Sequence, residues 1–173
     1  MSDSRLPTAV YFLLLVFGVW HFAQVYPQLP ERMASHFSAD GTPNGWSPKQ
    51  AFFILMAMIT AVTAIPAFFV PRMLKNLPRQ RINLPNKEYW LAPERRTETI
   101  EYLGMQMGWF GCALLALLFC AFYNAVAANL GPNHTFDSGS FYVALGAFFA
   151  FLIVWLVRLL SHFARIPQQD ARS

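Results

Sequence analysis

YLGMQMGWFGCALLALLFCAFYNAVAAN, residues 102–129, runs for 28 positions without an Asp, Glu, Lys or Arg. An α-helix needs roughly 20 apolar residues to cross the hydrocarbon of a bilayer, and this run exceeds that. Working outward, residues 6–30, 50–71 and 140–157 are equally free of those four residue types. The last run extends to about residue 160, because the long stem of Arg158 can carry its charge to the interface. Inside a bilayer the backbone must satisfy its own hydrogen bonds, which helices do span by span. A barrel strand would alternate apolar and polar residues, and none of these runs does. The sequence therefore predicts an all-α fold: an integral membrane four-helix bundle with spans at 7–26, 50–71, 102–128 and 140–160, forming one transmembrane domain over residues 1–173.

The composition agrees. Apolar residues make up 55% of the chain and charged residues 13%, about half the usual charged share of a soluble protein. Disordered chains are poor in apolar and aromatic residues, so disorder is excluded. The net charge of +4 does not point to nucleic acid, because the basic residues cluster at the ends of apolar runs. Lys and Arg counts instead set topology. With both termini cytoplasmic, the inner side holds Arg5, the seven basic residues of loop 72–101, and Arg158, Arg165 and Arg172, while the outer side holds only Arg32 and Lys49. Loops 27–49 and 130–139 are then outside. The first run has no A-x-A-like site after its apolar core, so it reads as a retained span rather than a cleaved signal. Cys112 and Cys120 lie within one apolar run and make no disulfide framework.

Small residues three or four apart let helix backbones approach closely. Gly104, Gly108 and Gly111 lie on the third span, Ala57, Ala61 and Ala64 on the second, and Gly146 and Ala150 on the fourth. Packing within the bundle accounts for them better than dimerisation does.

The outer loop, YPQLPERMASHFSADGTPNGWSPK at residues 26–49, carries the strongest motif. Pro27 and Pro30 end the first helix. Pro30 and Glu31 are expected to open a short surface helix reaching about His36. Asp40–Gly41 and Pro43–Asn44–Gly45 are turn formers. Ser47 before Pro48 reads as an N-cap for the second span. Tyr26 and Trp46 suit the interface. Structure does not require His36, Glu31, Asp40, Lys49, or His21 near the outer end of the first span. An ionisable group within a span is a functional candidate. With His134 in the second outer loop, His21 and His36 are weak candidates for a transition-metal site, although their spacings match no helical H-x-x-x-H pair.

The same loop resembles a known family. Tyr26, Pro27, Leu29, Pro30, His36, Phe37, Gly41, Pro43, Trp46 and Lys49 are similar to the signature of a small membrane domain of unknown function. That domain occurs at the start of SdpI-type immunity proteins against sporulation-delaying toxin. Ala34 and Ser38 depart from the pattern, and the match covers roughly residues 10–70. The resemblance implies a role in tolerating an envelope-active peptide and relaying its presence. It makes Tyr26, Pro27, Pro30, His36, Phe37, Gly41, Trp46 and Lys49 the candidate ligand-binding residues, and it brings no catalytic ones.

Loop 72–101 is basic enough to lie against anionic headgroups. Its first part, RMLKNLPRQRINLPN, is expected to be irregular. Pro93 is expected in the first turn of a helix leading into the third span. Tyr89, Trp90, Glu94, Arg95 and Arg96 form the candidate docking surface for a cytoplasmic partner, with an interfacial anchor as the plainer alternative. No Gly-rich phosphate loop supports a nucleotide site.

No catalytic arrangement stands out. There is no G-x-S-x-G elbow, and the spans lack the midplane acidic groups that proton-coupled transport uses. The sequence implies no cofactor. Its partners are the lipid bilayer, a peptide or protein at the outer loop, and a cytoplasmic protein at the inner loop. The leading reading is a non-enzymatic protein of a bacterial inner membrane. The alternatives are an accessory subunit of a membrane complex, or a metal-dependent membrane enzyme or transporter using the outer-side histidines.

Overall fold

The structure, a computed structural model, describes residues 5–167; Arg172, counted above for topology, lies outside the described residues. Helix α1 covers Arg5–Val25 and ends in a 3-10 turn at Tyr26–Gln28, where Pro27 stops the α-helix. Strands β1 (Arg32–Phe37) and β2 (Pro43–Pro48) follow. The second span begins as α2 (Lys49–Val62), passes through a π-helical turn at Ile65–Phe69, and continues as α3 (Val70–Asn76). Pro66 lies in that turn and has no N–H for the α ladder. A short α4 (Lys87–Trp90) precedes α5 (Arg96–Leu130) and α6 (Ser138–Ala164). Among the described residues, four helical segments are long and apolar enough to cross a membrane: Arg5–Gln28, Lys49–Asn76, Arg96–Leu130 and Ser138–Ala164. This is the mark of a multi-pass membrane protein, in contact with lipid along its spans.

The fold departs from all-α at one place. Residues 32–37 form a strand where a short helix was expected, paired antiparallel with β2 in the register Arg32↔Pro48, Met33↔Ser47, Ala34↔Trp46, His36↔Gly45 and Phe37↔Pro43. The turn explains the outcome. Gly41 has φ +88°, which suits glycine. Ser38 N–H donates to Thr42 O at 2.8 Å, and Gly41 N–H to Ser38 O at 2.9 Å. Once 43–48 is folded back beside 32–37, ladder pairing outcompetes a helix two turns long, which is too short to stand alone.

Two further expectations at helix starts are corrected. Ser47 does not cap α2; Pro48 holds the cap position, and Ser47 Oγ is buried without a partner. Ser47 belongs to the strand, and the Lys49 N–H donates instead to Glu31 O at 2.8 Å. Pro93 does not enter α5. The helix begins at Arg96, after a turn in which Arg95 and Arg96 N–H both donate to Ala92 O. The first part of loop 72–101 is also more ordered than expected, since α3 carries helix through Asn76 and a 3-10 turn follows at Arg79–Arg81.

Helix α5 is the axis of the bundle, with α1, the π-turn, α3 and α6 all leaning on it. A Cβ on Gly108 would lie 3.0 Å from the Pro7 side chain, and one on Gly111 2.7 Å from Ala67. The small residues of the third span therefore serve packing within the chain, as expected. The fourth span differs: a Cβ on Gly146 would meet nothing within 4 Å, and Val143 and Ile153 are 75% and 64% exposed. Most of the length of α6 faces outward. Apolar clusters form at three levels. One lies at the hairpin end around Phe22, Met33 and Val126, one at mid-bundle around Tyr11 and Leu115, and one at the basic-loop end around Leu91 and Phe163. Tyr11 and Thr63 tie α1 to the end of α2 through a 2.6 Å hydroxyl–hydroxyl hydrogen bond.

Candidate binding surface at the hairpin end

The motif residues of loop 27–49 converge on one ammonium group. Lys49, the first residue of α2, is only 8% exposed. Its Nζ donates to Leu29 O at 3.0 Å, pairs with Glu31 Oε1 at 2.9 Å, and lies 4.8 Å from the centroid of the Tyr26 ring. A cation at a helix N-terminus opposes the helix dipole, and a buried one without partners would be costly. The carbonyl, the carboxylate and the aromatic face offset both effects. Tyr26 also meets Phe53 edge-on at 4.9 Å. Lys49 thus ties the end of α1 to the start of α2 and forms the base of the hairpin.

A second fastener comes from α5. Asn129 is 4% exposed; its Oδ1 accepts from Ala34 N–H at 2.8 Å, and its Nδ2 donates to Ala34 O at 2.9 Å and Ala125 O at 2.8 Å. The amide pairs with β1 as a neighbouring strand would, satisfying the one fully buried stretch of its edge. The loop after α5 closes the turn side. Phe136 N–H donates to Gly41 O at 2.9 Å, the Phe37 and Phe136 rings lie 5.0 Å apart, and Tyr142 OH donates to Ala39 O at 3.3 Å. Asp40 Oδ1 accepts from the N–H and hydroxyl of Thr42, which holds its carboxyl below the usual carboxylate value. Asp137 caps α6 by accepting from Ser140 N–H at 3.0 Å and is lowered for the same reason.

The candidate ligand residues fall into two groups. Tyr26, Lys49, Gly41 and Phe37 are engaged in holding the hairpin. Pro27, Pro30, His36 and Trp46 are exposed, and Trp46 is the large apolar one, at 42%. It meets the His134 ring edge-on at 5.2 Å. In an antiparallel pair, residues opposite one another direct their N–H and C=O to opposite outer edges when they do not bond each other. Ala34 gives both groups to Asn129, so Trp46 presents its own N–H and C=O on the far edge of β2. Among the described residues nothing pairs with them. Pro48 ends that edge, lacking an N–H.

The three histidines do not assemble. His21 sits on α1 between Phe17 and Tyr123, with ring centroids at 6.4 and 5.6 Å. His36 lies against Gly45 on the hairpin, and His134 packs on Trp46 with its Nδ1 buried and unpartnered. Among the described residues no three of His, Cys, Asp or Glu come together. His21, His36 and His134 are thus not brought together as one ligand set.

At the opposite end, the candidate docking residues mostly serve the chain itself. Trp90 Nε1–H donates to Phe163 O at 3.0 Å, and Asn86 Nδ2 donates to Phe163 O and Ala164 O. These bonds cap the C-terminal carbonyls of α6. Arg96 donates to Leu77 O at 2.7 Å, just past α3, and Arg95 donates to Tyr89 O with its guanidinium 3.9 Å from the Tyr89 ring centroid. Arg79 pairs with Glu88. Glu94 is the exposed member of the set.

Sequence reasoning missed Asn129 and Asn86. For Asn129 the available signal was a lone amide at the end of an apolar run, since a buried amide requires partners. Asn124 joins α5 to α6 by accepting from Ser140 Oγ at 3.1 Å.

Residues 13–60 match the family model of a domain of unknown function (DUF1648), a span that takes in most of α1, the whole hairpin and nearly all of α2. No curated protein and no solved structure matches the chain.

Proposed function

We propose that this chain is a non-enzymatic protein of a bacterial cytoplasmic membrane, and that its hairpin, facing outward, binds an envelope-active peptide or protein. The SdpI-type resemblance gives the functional class, and the Lys and Arg distribution gives the orientation. One observation carries the reading: the edge of β2 at Trp46 is open, on a hairpin fixed from below by Lys49 and from the side by Asn129. An extended ligand can add to such an edge as a further strand, with main-chain bonds giving affinity and the indole giving apolar contact. The edge is short and ends at Pro48, which favours a brief peptide segment and blunts pairing with long strands. Binding at this edge calls for no cofactor.

The test is site-specific photo-crosslinking in cells. The reactive group belongs at Asn44 or Trp46, because both are exposed, and not at Phe37, whose ring is packed on Phe136. Capture of one peptide or protein at Asn44, lost when Trp46→Ala is added, is the expected result. Capture only at Glu94, on the other end, would replace this reading with that of an accessory subunit. No capture at any of the three positions would overturn both.

A further inference from the structure

Between α5 and α6, at the basic-loop end, lies a cleft of about 1020 Å³ that the hairpin reading does not use. Its wall on α6 follows one helical face. Phe151, Val154 and Trp155 come first, then Arg158, then Ser161 and His162, in steps of three and four residues, and Arg165 follows just past the helix end. The face changes character along its length. The stretch from Phe151 to Arg158 is about 10 Å of helix with apolar side chains, and the part from Arg158 to Arg165, which runs off the helix end, carries basic and polar ones. Opposite stand Tyr102, Gln106 and Trp109 of α5, with Trp90 at the mouth. The Trp155 indole is fixed by donating to Gln106 O at 3.1 Å, and His162 is stacked on Tyr102 at 4.1 Å. Among the described residues, neither Arg158 nor Arg165 lies within ion-pair distance of a carboxylate.

We infer that this cleft is a binding site for one anionic phospholipid of the adjoining leaflet. The order of side chains matches that molecule from tail to head. Its acyl chain would lie along Phe151, Val154 and Trp155, and its phosphate would meet the two guanidinium groups, whose forked donors suit phosphate oxygens. Basic pockets between transmembrane helices hold anionic headgroups in this way. An acidic peptide would satisfy the arginines but leave the apolar half of the cleft facing hydrocarbon. A zwitterionic lipid would fill the cleft but bring a second cation to the arginines.

The test is native mass spectrometry of the full chain from micelles containing equal phosphatidylglycerol and phosphatidylcholine. The unaltered protein should retain one phosphatidylglycerol. An R158Q/R165Q variant should retain about tenfold less, and a K75Q/R81Q variant, which removes two charges from the basic loop, should retain as much as the unaltered protein. Equal retention of the two lipids, undiminished retention by R158Q/R165Q, or an equal loss in K75Q/R81Q would each overturn the site. If R158Q/R165Q does not fold, the unaltered protein still decides. Brominated phosphatidylglycerol at low mole fraction should quench tryptophan fluorescence well beyond brominated phosphatidylcholine, and equal quenching would sink the inference.

Discussion

The two ends of the bundle solve the same problem in opposite ways. Where helices stop, backbone groups lose their partners and must find others. At the hairpin end the chain supplies more backbone, with β1 pairing to β2, and then buries two polar side chains, Lys49 and Asn129, to fasten the sheet to the helices. At the basic-loop end no sheet forms among the described residues, and Asn86, Trp90 and Arg96 donate directly to helix-terminal carbonyls from partly exposed positions. Burial separates the two. A buried amide has no water to replace a lost partner, whereas a carbonyl at a wet helix end does. The hairpin end should therefore be brittle and the basic-loop end tolerant.

Substitutions can break or sharpen that contrast. Asn129→Ala should have the largest effect, about 3 kcal/mol, because it strands both the N–H and C=O of Ala34; denaturant titration in mixed micelles would measure it. Gly41→Ala should follow at about 2 kcal/mol, since its φ of +88° disfavours a side chain and the added Cβ would lie 2.2 Å from Phe136 O. Lys49→Met should cost about 1–2 kcal/mol through the unpaired Leu29 carbonyl, while Glu31→Gln should cost less than about 1 kcal/mol, because the Glu31 side chain is 88% exposed. Trp90→Phe, which keeps the ring and removes the Nε1 donor, should cost about 1 kcal/mol or less. If the same titration shows Trp90→Phe matching Asn129→Ala, the contrast fails.

The smallest expected effect is on pH. Asp40 and Asp137 both titrate below the usual value of 3.8 because hydrogen bonds from Thr42 and Ser140 favour their carboxylates. Their contribution is complete above that value and is lost as pH falls below it through the folded values. The protection factors of the Thr42 and Ser140 amides, corrected for the intrinsic pH dependence of exchange, should be steady from neutral pH down to that point and fall below it. Asp40→Asn and Asp137→Asn should each remove the acid-dependent step at its own site.

Much of the fold was legible because four long charge-free runs in a 173-residue chain carry more apolar surface than one small water-soluble core can bury. The strand was not. RMASHF lacks the β-branched residues that mark strands, and Pro30–Glu31 is a genuine helix-start signal. What decided the outcome was a partner segment several residues downstream, which residues 32–37 do not encode and only the Asp40–Gly41 turn hinted at. The grouping of Tyr26, Leu29 and Lys49 was visible as a motif, but its meaning was not, since nothing in a spacing says that three residues share one ammonium. Tyr89, Trp90, Arg95 and Arg96 misled in the opposite direction. Aromatic and arginine side chains suit partner surfaces and helix-end capping equally well.

Helix α5 has 35 residues and is about 52 Å long, well beyond the roughly 30 Å of bilayer hydrocarbon. Its two protruding ends are both occupied. Asn129 grips β1 at one, and Thr99 donates to Trp90 O at 2.7 Å at the other. The helix is a single strut held by hydrogen bonds near both of its ends, so a piston stroke or a roll about its axis cannot stay local. Any force that tugs the sheet has a mechanical path along α5 to the basic-loop end of the bundle.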